Sequence, residues 1–369
     1  MALGIYIHIP FCKSKCLYCD FNSYANQDGL KDRYVQALCK EIQNFPDDCE
    51  ADTLYIGGGT PTILSKEQLE KILIQVKQKF TLTPDCEITV ECNPATMGED
   101  GFRHLRQLGV NRLSIGLQSA NEKELKALGR IHTLSDFARC FQEAKTVGFD
   151  NLSLDLMHGL PNQTMEDWMH TLETAVAFQP AHISCYGLKL EEGTPLFQQN
   201  PPMPDEDLAG DFYEACVSFL KQHGYDQYEI SNFAKPGMES RHNIKYWRCH
   251  EFAGFGAGAY SCLNHQRYSN GRDLSSYCQS IEQDGSAVEE RIPLTIDAEM
   301  SEFCFLGLRM VEGISYTEFE ERFGVSLENV YGETIKKNLR RETLLRLNDR
   351  LVIPSKYLYV SNSILVDFV

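Results

Sequence analysis

Six short β-rich runs punctuate the first two-thirds of the chain, at residues 4–9, 53–56, 87–92, 112–116, 152–157 and 182–188, and helical stretches fall between them. Such alternation leaves few choices, because parallel strands need crossover connections and helices serving as crossovers must cover the sheet. The helical stretches carry their own start and stop signals. Ser65-Lys-Glu-Gln68 reads as a capping box ahead of the apolar positions Leu69, Ile72, Leu73 and Val76, and Gly109 and Gly148 stand where two helices should end. The expectation is an α/β fold, closed as a partial barrel or left as an open parallel sheet. In either closure, ligands collect at the C-terminal ends of the strands, among the βα loops.

The chain has 369 residues, 43% hydrophobic and 24% charged, enough for a sizeable core in two domains or in one large α/β domain with an appendage. Pro201-Pro202-Met203-Pro204 marks a linker or turn before an acidic helix start at Asp205-Glu206-Asp207. From about Ile292 the character changes. Helices are predicted over 297–310, 315–323 and 328–340, with two short strands around 344–347 and 351–353, a winged-helix-like arrangement. A wing is normally a nucleic-acid device, and Arg340, Arg341 and Arg346 would be its footprint. A net charge of −17, from 35 basic and 52 acidic residues, argues against a phosphate-tracking partner, so no nucleic acid is expected. The apolar stretch from Ala2 to Phe11 contains His8 and Pro10, with no basic flank and no small-residue cleavage site. No later segment approaches the roughly 20 apolar residues of a membrane span. The chain reads as cytoplasmic, and its fourteen cysteines as thiols or metal ligands.

Three of those cysteines form Cys12-Lys-Ser-Lys-Cys16-Leu-Tyr-Cys19, a C-x3-C-x2-C loop directly after the first run. Structural zinc would want a fourth protein ligand, and the nearest candidate, His8, lies within a strand that fixes its direction. A [4Fe–4S] cluster is normally held by four thiolates; three would leave one iron open, the mark of catalysis or substrate binding. The second run ends in Gly57-Gly58-Gly59-Thr60-Pro61. Consecutive glycines let backbone amides and carbonyls approach a small ligand, and equally suit a tight βα turn with no ligand. Both loops open onto the same end of the sheet.

Together these motifs resemble the radical S-adenosylmethionine (SAM) superfamily, and Ile5-Tyr6-Ile7-His8-Ile9-Pro10-Phe11-Cys12 resembles its HemN-like subfamily. The resemblance extends through Glu91-Cys92-Asn93-Pro94, Ser114-Ile115-Gly116-Leu117-Gln118-Ser119, Gly129-Arg130 and Asp155-Leu156-Met157-His158-Gly159-Leu160-Pro161. It implies a partial (β/α)6 radical SAM barrel over residues 1–235, a connecting segment over 236–290, and a helical, winged-helix-like HemN-type C-terminal domain over 291–369. It also implies a [4Fe–4S] cluster on Cys12, Cys16 and Cys19 whose open iron is chelated by the methionine end of SAM. Carried over by position, Gly58, Gly59 and Thr60 are similar to the cradle for the methionyl end, and Arg130 to the partner of its carboxylate. Glu91 resembles a carboxylate facing the cofactor, Gln118 and Asp155 the ribose-hydroxyl ligands, and Tyr6 a residue close by. Each also has a plain structural use, as a strand-end cap or a surface ion pair.

The enzyme that names the subfamily, an oxygen-independent coproporphyrinogen III dehydrogenase, carries a further cysteine in the pattern C-x3-C-x2-C-x-C. Here that position is Phe21, which resembles instead the heme-chaperone branch, HemW. Arg241-His242-Asn243-Ile244-Lys245-Tyr246-Trp247 is similar to that branch's HNxxYW signature. Its chemistry offers an imidazole able to ligate iron and two aromatic faces able to pack on a porphyrin, His242, Tyr246 and Trp247. A buried polar turn anchored by Trp247 would use the same residues, and His250 and His265 stay open as ligands. Gly254-Phe255-Gly256-Ala257-Gly258-Ala259 suits either close cofactor approach or close packing. The resemblance therefore implies heme as cargo, handed to acceptor hemoproteins, with membrane respiratory proteins and a homodimer left open as partners. The rival function is a radical SAM oxidoreductase acting on a tetrapyrrole such as coproporphyrinogen III.

Overall fold

In the computed structural model, which describes residues 2–369, the alternation builds six adjacent parallel strands. These are β1 (Leu3–Ile9), β2 (Glu50–Gly58), β3 (Thr81–Cys92), β4 (Arg112–Gln118), β5 (Asn151–His158) and β6 (His182–Gly187). The main helices among them are α1 (Lys31–Asn44), α2 (Lys66–Lys79), α3 (Glu99–Gln107), α4 (Leu134–Thr146), α5 (Met165–Ala177) and α6 (Glu206–Gln222). Ser65 caps α2, with Gln68 reaching back to close the box, and Thr133 with Asp136 and Thr164 with Asp167 do the same for α4 and α5. Gly109 and Gly148 follow α3 and α4 at φ of +88° and +89°, a conformation that would strain any side chain. Asp205 caps α6, as its acidic start predicts. The third run is longer than its apolar centre, because a register shift against β2 accommodates the polar stretch around Pro84.

Strand periodicity sorts the residues into two sets. Ile5, Ile7, Leu54, Ile56, Val90, Leu113, Ile115, Leu152, Leu154 and Ile183 are buried in the main core. The intervening positions, Tyr6, Tyr55, Glu91, Arg112, Ser114, Asp155 and Ser184, belong to the opposite face, the concave lumen.

The sheet does not stop at six strands. Beyond β6 lie β7 (Asp226–Gln227) and β8 (Asn232–Ala234), both antiparallel; beyond β1 lie β9 (Phe252–Phe255), parallel, then the antiparallel β10 (Tyr260–Leu263), β11 (Gln266–Asn270) and β12 (Val288–Pro293). The order is β12-β11-β10-β9-β1-β2-β3-β4-β5-β6-β8-β7. Residues 236–290 thus widen the sheet and contribute α7 (Arg241–Trp247) and α8 (Leu274–Asp284).

The remaining residues form α9 (Ile296–Gly307), α10 (Tyr316–Phe323) and α11 (Leu327–Arg340), with a small sheet of β13 (Ile314–Ser315), β14 (Leu345–Leu347) and β15 (Arg350–Val352) in the order β13-β15-β14. This module has its own core, including Phe303, Phe319, Leu327, Leu344 and Leu351, to which α6 lends Tyr213. Arg346, one of the three wing arginines, pairs with Glu328 at 2.9 Å and lies over the Tyr316 ring at 4.2 Å. Among the described residues no helix is long and apolar enough to cross a membrane.

Candidate functional site

The loop leaving β1 is held closely enough to place three thiols. Leu17 N–H donates to Leu128 C=O at 3.0 Å, Leu196 N–H to Leu17 C=O at 2.9 Å, and Thr60 N–H to Phe11 C=O at 2.8 Å. Each thiol has a polar neighbour: Thr60 Oγ1 donates to Cys12 Sγ at 3.7 Å, Arg130 Nη1 to Cys16 Sγ at 3.5 Å, and Ser23 Oγ lies 3.9 Å from Cys19 Sγ. All fourteen cysteines are free thiols. Among the described residues no three Cys, His, Asp or Glu side chains converge as a single ion would require. A cuboidal cluster takes each thiolate on a different iron, so the spread of Cys12, Cys16 and Cys19 fits a cluster better than zinc. His8 is not free as a fourth ligand: Nδ1 is 2.9 Å from Tyr6 Oη and Nε2 is 2.8 Å from Asn22 C=O.

Beneath the loop a cleft of about 520 Å3 opens into the lumen at the C-terminal ends of the strands. Cys12, Cys16, Cys19, Gly58, Gly59, Thr60, Glu91, Gln118, Arg130 and Asp155 all line it, bringing together ten predicted positions from distant parts of the chain. The glycines are needed for this closeness. A Cβ on Gly59 would stand 2.6 Å from Phe11 O and 3.0 Å from Cys12 Sγ; Gly58, at φ +113°, would meet the His8 ring at 2.6 Å. Glu91 accepts from Tyr55 Oη at 2.8 Å and from Gly58 N–H at 3.0 Å. Burial pushes its pKa up to about 7, aided by the nearby Asp155 charge and opposed by those hydrogen bonds and by Arg112. Asp155 is also raised by burial, against the hydroxyl of Ser114, which lies 3.1 and 3.2 Å from its two oxygens. Gln118 sits at a register shift with φ +66°, which turns its amide into the cleft. Arg130 Nη2 donates to Gly116 C=O at 3.3 Å, while its buried Nε has no partner. Tyr6 is set apart from the lining, stacked against Tyr55 at a centroid distance of 6.3 Å.

The HNxxYW segment lies elsewhere. As α7 it closes the opposite, N-terminal end of the lumen. His242 is buried, its ring stacked on Tyr55 at 5.2 Å, with Nδ1 2.9 Å from Thr53 Oγ1 and Nε2 2.8 Å from Tyr246 Oη. Burial, then the Lys245 and Arg112 charges, lowers its pKa to about 3, so the ring is neutral, and axial ligation by either nitrogen needs one of these hydrogen bonds to break. Trp247 stacks under Arg309 at 4.6 Å. From this segment it is Asn243 that reaches the cleft. His250 is lowered to about 4, chiefly by burial, and His265 is 2.6 Å from Glu299. Gly256, at φ +105°, would drive a Cβ to 2.4 Å from Tyr34 Oη, so that glycine serves close packing on α1.

Tyr55, Arg112, Ser114, Ser184, Tyr186 and Asn243 also line the cleft and were not singled out from sequence as ligands. For the strand residues a signal existed: they stand at steps of two from named positions or from each other, on the same face of their strands.

Residues 6–175 match the family model described as Radical SAM superfamily, and residues 294–356 match that of the HemN C-terminal domain. Over 342 residues the chain is 38% identical to the heme chaperone HemW of Bacillus subtilis, covering 90% of this chain and 89% of that one. The chain belongs to the HemW family of radical SAM proteins. HemW of Escherichia coli is 43% identical over 263 residues, 70% of this chain and 69% of its own. The structure of HemN from E. coli, a coproporphyrinogen III oxidase described as a radical SAM enzyme, superposes with a TM-score of 0.89 at 24% identity, over 100% of this chain and 90% of that one. That likeness establishes the barrel-plus-C-terminal-domain fold. Membership of the HemW family and its radical SAM domain imply a [4Fe–4S] cluster and SAM, and the three separated thiols beside a glycine cradle fit both.

Proposed function

We propose that this chain is a heme chaperone that carries heme alongside a [4Fe–4S] cluster and SAM and passes it to hemoproteins. The observation that carries the reading is Phe21. Where the dehydrogenase pattern has a further cysteine, this chain presents a phenyl ring, 64% exposed, in the lining of the cleft to which Tyr186 and Leu188 also contribute. Apolar side chains of this kind suit a flat, greasy cargo. Relatives matching over most of the chain carry the heme-chaperone name.

When bound, the cluster and SAM supply reductive cleavage of the sulfonium. In this reading Gly58, Gly59 and Thr60 present backbone to the methionyl end, Arg130 holds its carboxylate, Gln118 and Asp155 take the ribose hydroxyls, and Glu91 faces the cofactor's positive charge. Tyr6 acts through the Tyr55 ring it stacks on. His242 and Tyr246 serve the heme reading as the floor beneath the cleft, while Trp247 faces the C-terminal module and anchors their helix there. Residues 1–235, 236–290 and 291–369 act as radical SAM core, connecting segment and C-terminal domain of a cytoplasmic protein whose acceptors include membrane respiratory hemoproteins, with a homodimer as the assembly to look for.

The deciding experiment is anaerobic titration of cluster-loaded protein with heme, with and without SAM. A Soret shift saturating near one equivalent is expected, and no shift overturns the reading. The complete cofactor lining favours the second reading, a radical oxidoreductase acting on a tetrapyrrole. Turnover of coproporphyrinogen III under strong anaerobic reduction would put that reading first.

A further inference from the structure

Arg112 opens β4 and is only 2% exposed, yet it takes part in none of the molecule's ion pairs among the described residues, and its Nε bonds nothing. More exposed arginines are better served: Arg267 holds Glu302 at 2.9 Å and Arg248 holds Glu312 at 2.6 Å. A guanidinium buried without a partner is costly, and a fold that retains one has left a place for an anion.

The surroundings of Arg112 agree. It shares its rung of the sheet with Thr89 on β3 and Asn151 on β5, and Thr89 Oγ1, a hydroxyl able to donate to an anion, is likewise buried and unbonded. The carboxylates that feel its charge are Glu91 and Asp155, but both are committed, Glu91 to Tyr55 and Gly58 and Asp155 to Ser114. Arg112 nonetheless lines the cleft, on the same strand face as Ser114 and Gly116. Cations nearer the mouth are already engaged: Lys15 donates to Phe21 C=O at 3.0 Å and Lys189 pairs with Glu191 at 2.9 Å.

We infer that the Arg112 guanidinium binds a carboxylate of the molecule carried in this cleft, a propionate arm of the tetrapyrrole. The inference rests on the heme reading. A planar fork suits a carboxylate through two parallel charge-assisted hydrogen bonds, and a flexible arm ending in a charge is the part of such a ligand able to enter a narrow polar shaft.

The test compares heme with heme dimethyl ester, in which both propionates are masked, in anaerobic Soret titrations of the full-length, cluster-loaded protein. Wild type is expected to bind heme about tenfold or more tightly than the ester. Arg112→Met should lose that preference and bind both with the ester's affinity, and Arg112→Lys, with the charge but not the fork, should keep part of it. Equal binding of acid and ester by wild type, or an undiminished preference in Arg112→Met, overturns the inference and leaves the heme reading standing. No Soret shift with either ligand overturns the heme reading and the inference with it. Should Arg112→Met fail to fold by circular dichroism, the wild-type acid-to-ester ratio and Arg112→Lys decide the matter.

Discussion

Glu91 sits in an environment far from that of a free side chain. Its folded pKa of about 7 lies above the usual 4.5 because burial penalises the charged form first, with Asp155 adding to it. The protonated carboxyl therefore contributes stability that is fully present below about pH 4.5 and lost as the pH rises through about 7. In cofactor-free protein, Glu91→Gln should gain on wild type by roughly 2–3 kcal/mol between pH 5 and pH 8, read by denaturant unfolding at each pH. A flat difference across that range would show that Glu91 titrates normally. Glu91 was legible in the sequence because it belongs to a strand-end motif. Arg112 was not, because a lone basic residue at the start of a strand looks like a surface charge until the neighbouring strands bury it. His242 was legible as important but not as to place: spacing shows an imidazole near two aromatics, while its burial depends on α7 folding under strands more than 150 residues upstream.

The cluster loop and the βα turn after β2 work as one element. Gly59 N–H donates to Ile9 C=O at 2.9 Å and Thr60 N–H to Phe11 C=O, so the turn fastens the loop on which Cys12 begins. Gly59→Ala would place its Cβ 2.6 Å from a backbone oxygen, which no rotamer change relieves. The variant is expected to fold, to unfold at lower denaturant by about 1–3 kcal/mol, and to retain well under half the iron and sulfide of wild type after anaerobic reconstitution. Full cluster content would show the loop to be more tolerant than this packing allows. At this scale the six parallel strands were readable because each has a continuous apolar side. The outer strands were not: Gln266–Asn270 is polar and partly exposed, Val288–Pro293 is almost wholly exposed, and their pairing comes from neighbours along the sheet rather than from their own pattern.

For the whole molecule, the joint between sheet and C-terminal module includes one buried ionic contact beside several surface ion pairs such as Arg248–Glu312 and Arg267–Glu302. Arg309 lies over the Trp247 ring and 3.9 Å from Glu229, a carboxylate only 1% exposed, and Glu229 forms a bridge with Met310. Arg309→Ala should take a charge from beside that buried carboxylate, which keeps its hydrogen bonds from Ser231 N–H and Asn232 Nδ2, and cost about 1–2 kcal/mol, and should speed proteolytic cleavage near residues 290–295 several-fold. Unchanged digestion kinetics would mean that the two cores hold together without this contact. The module's helices and hairpin were legible from periodicity, but its seat on α7 was not, since a cation over an indole ring leaves no spacing signature.

The sorting of each strand into an apolar and a polar side has a further consequence for how such a chain tolerates change in length. Adding or deleting one residue inside β4 would swap the sides from that point on, pressing Ser114 or its neighbours into hydrocarbon and turning Leu113 and Ile115 toward the cleft. The six central strands should therefore behave like text with a two-letter reading frame, admitting substitutions but not insertions, while gains and losses of length accumulate in the loops away from the cleft.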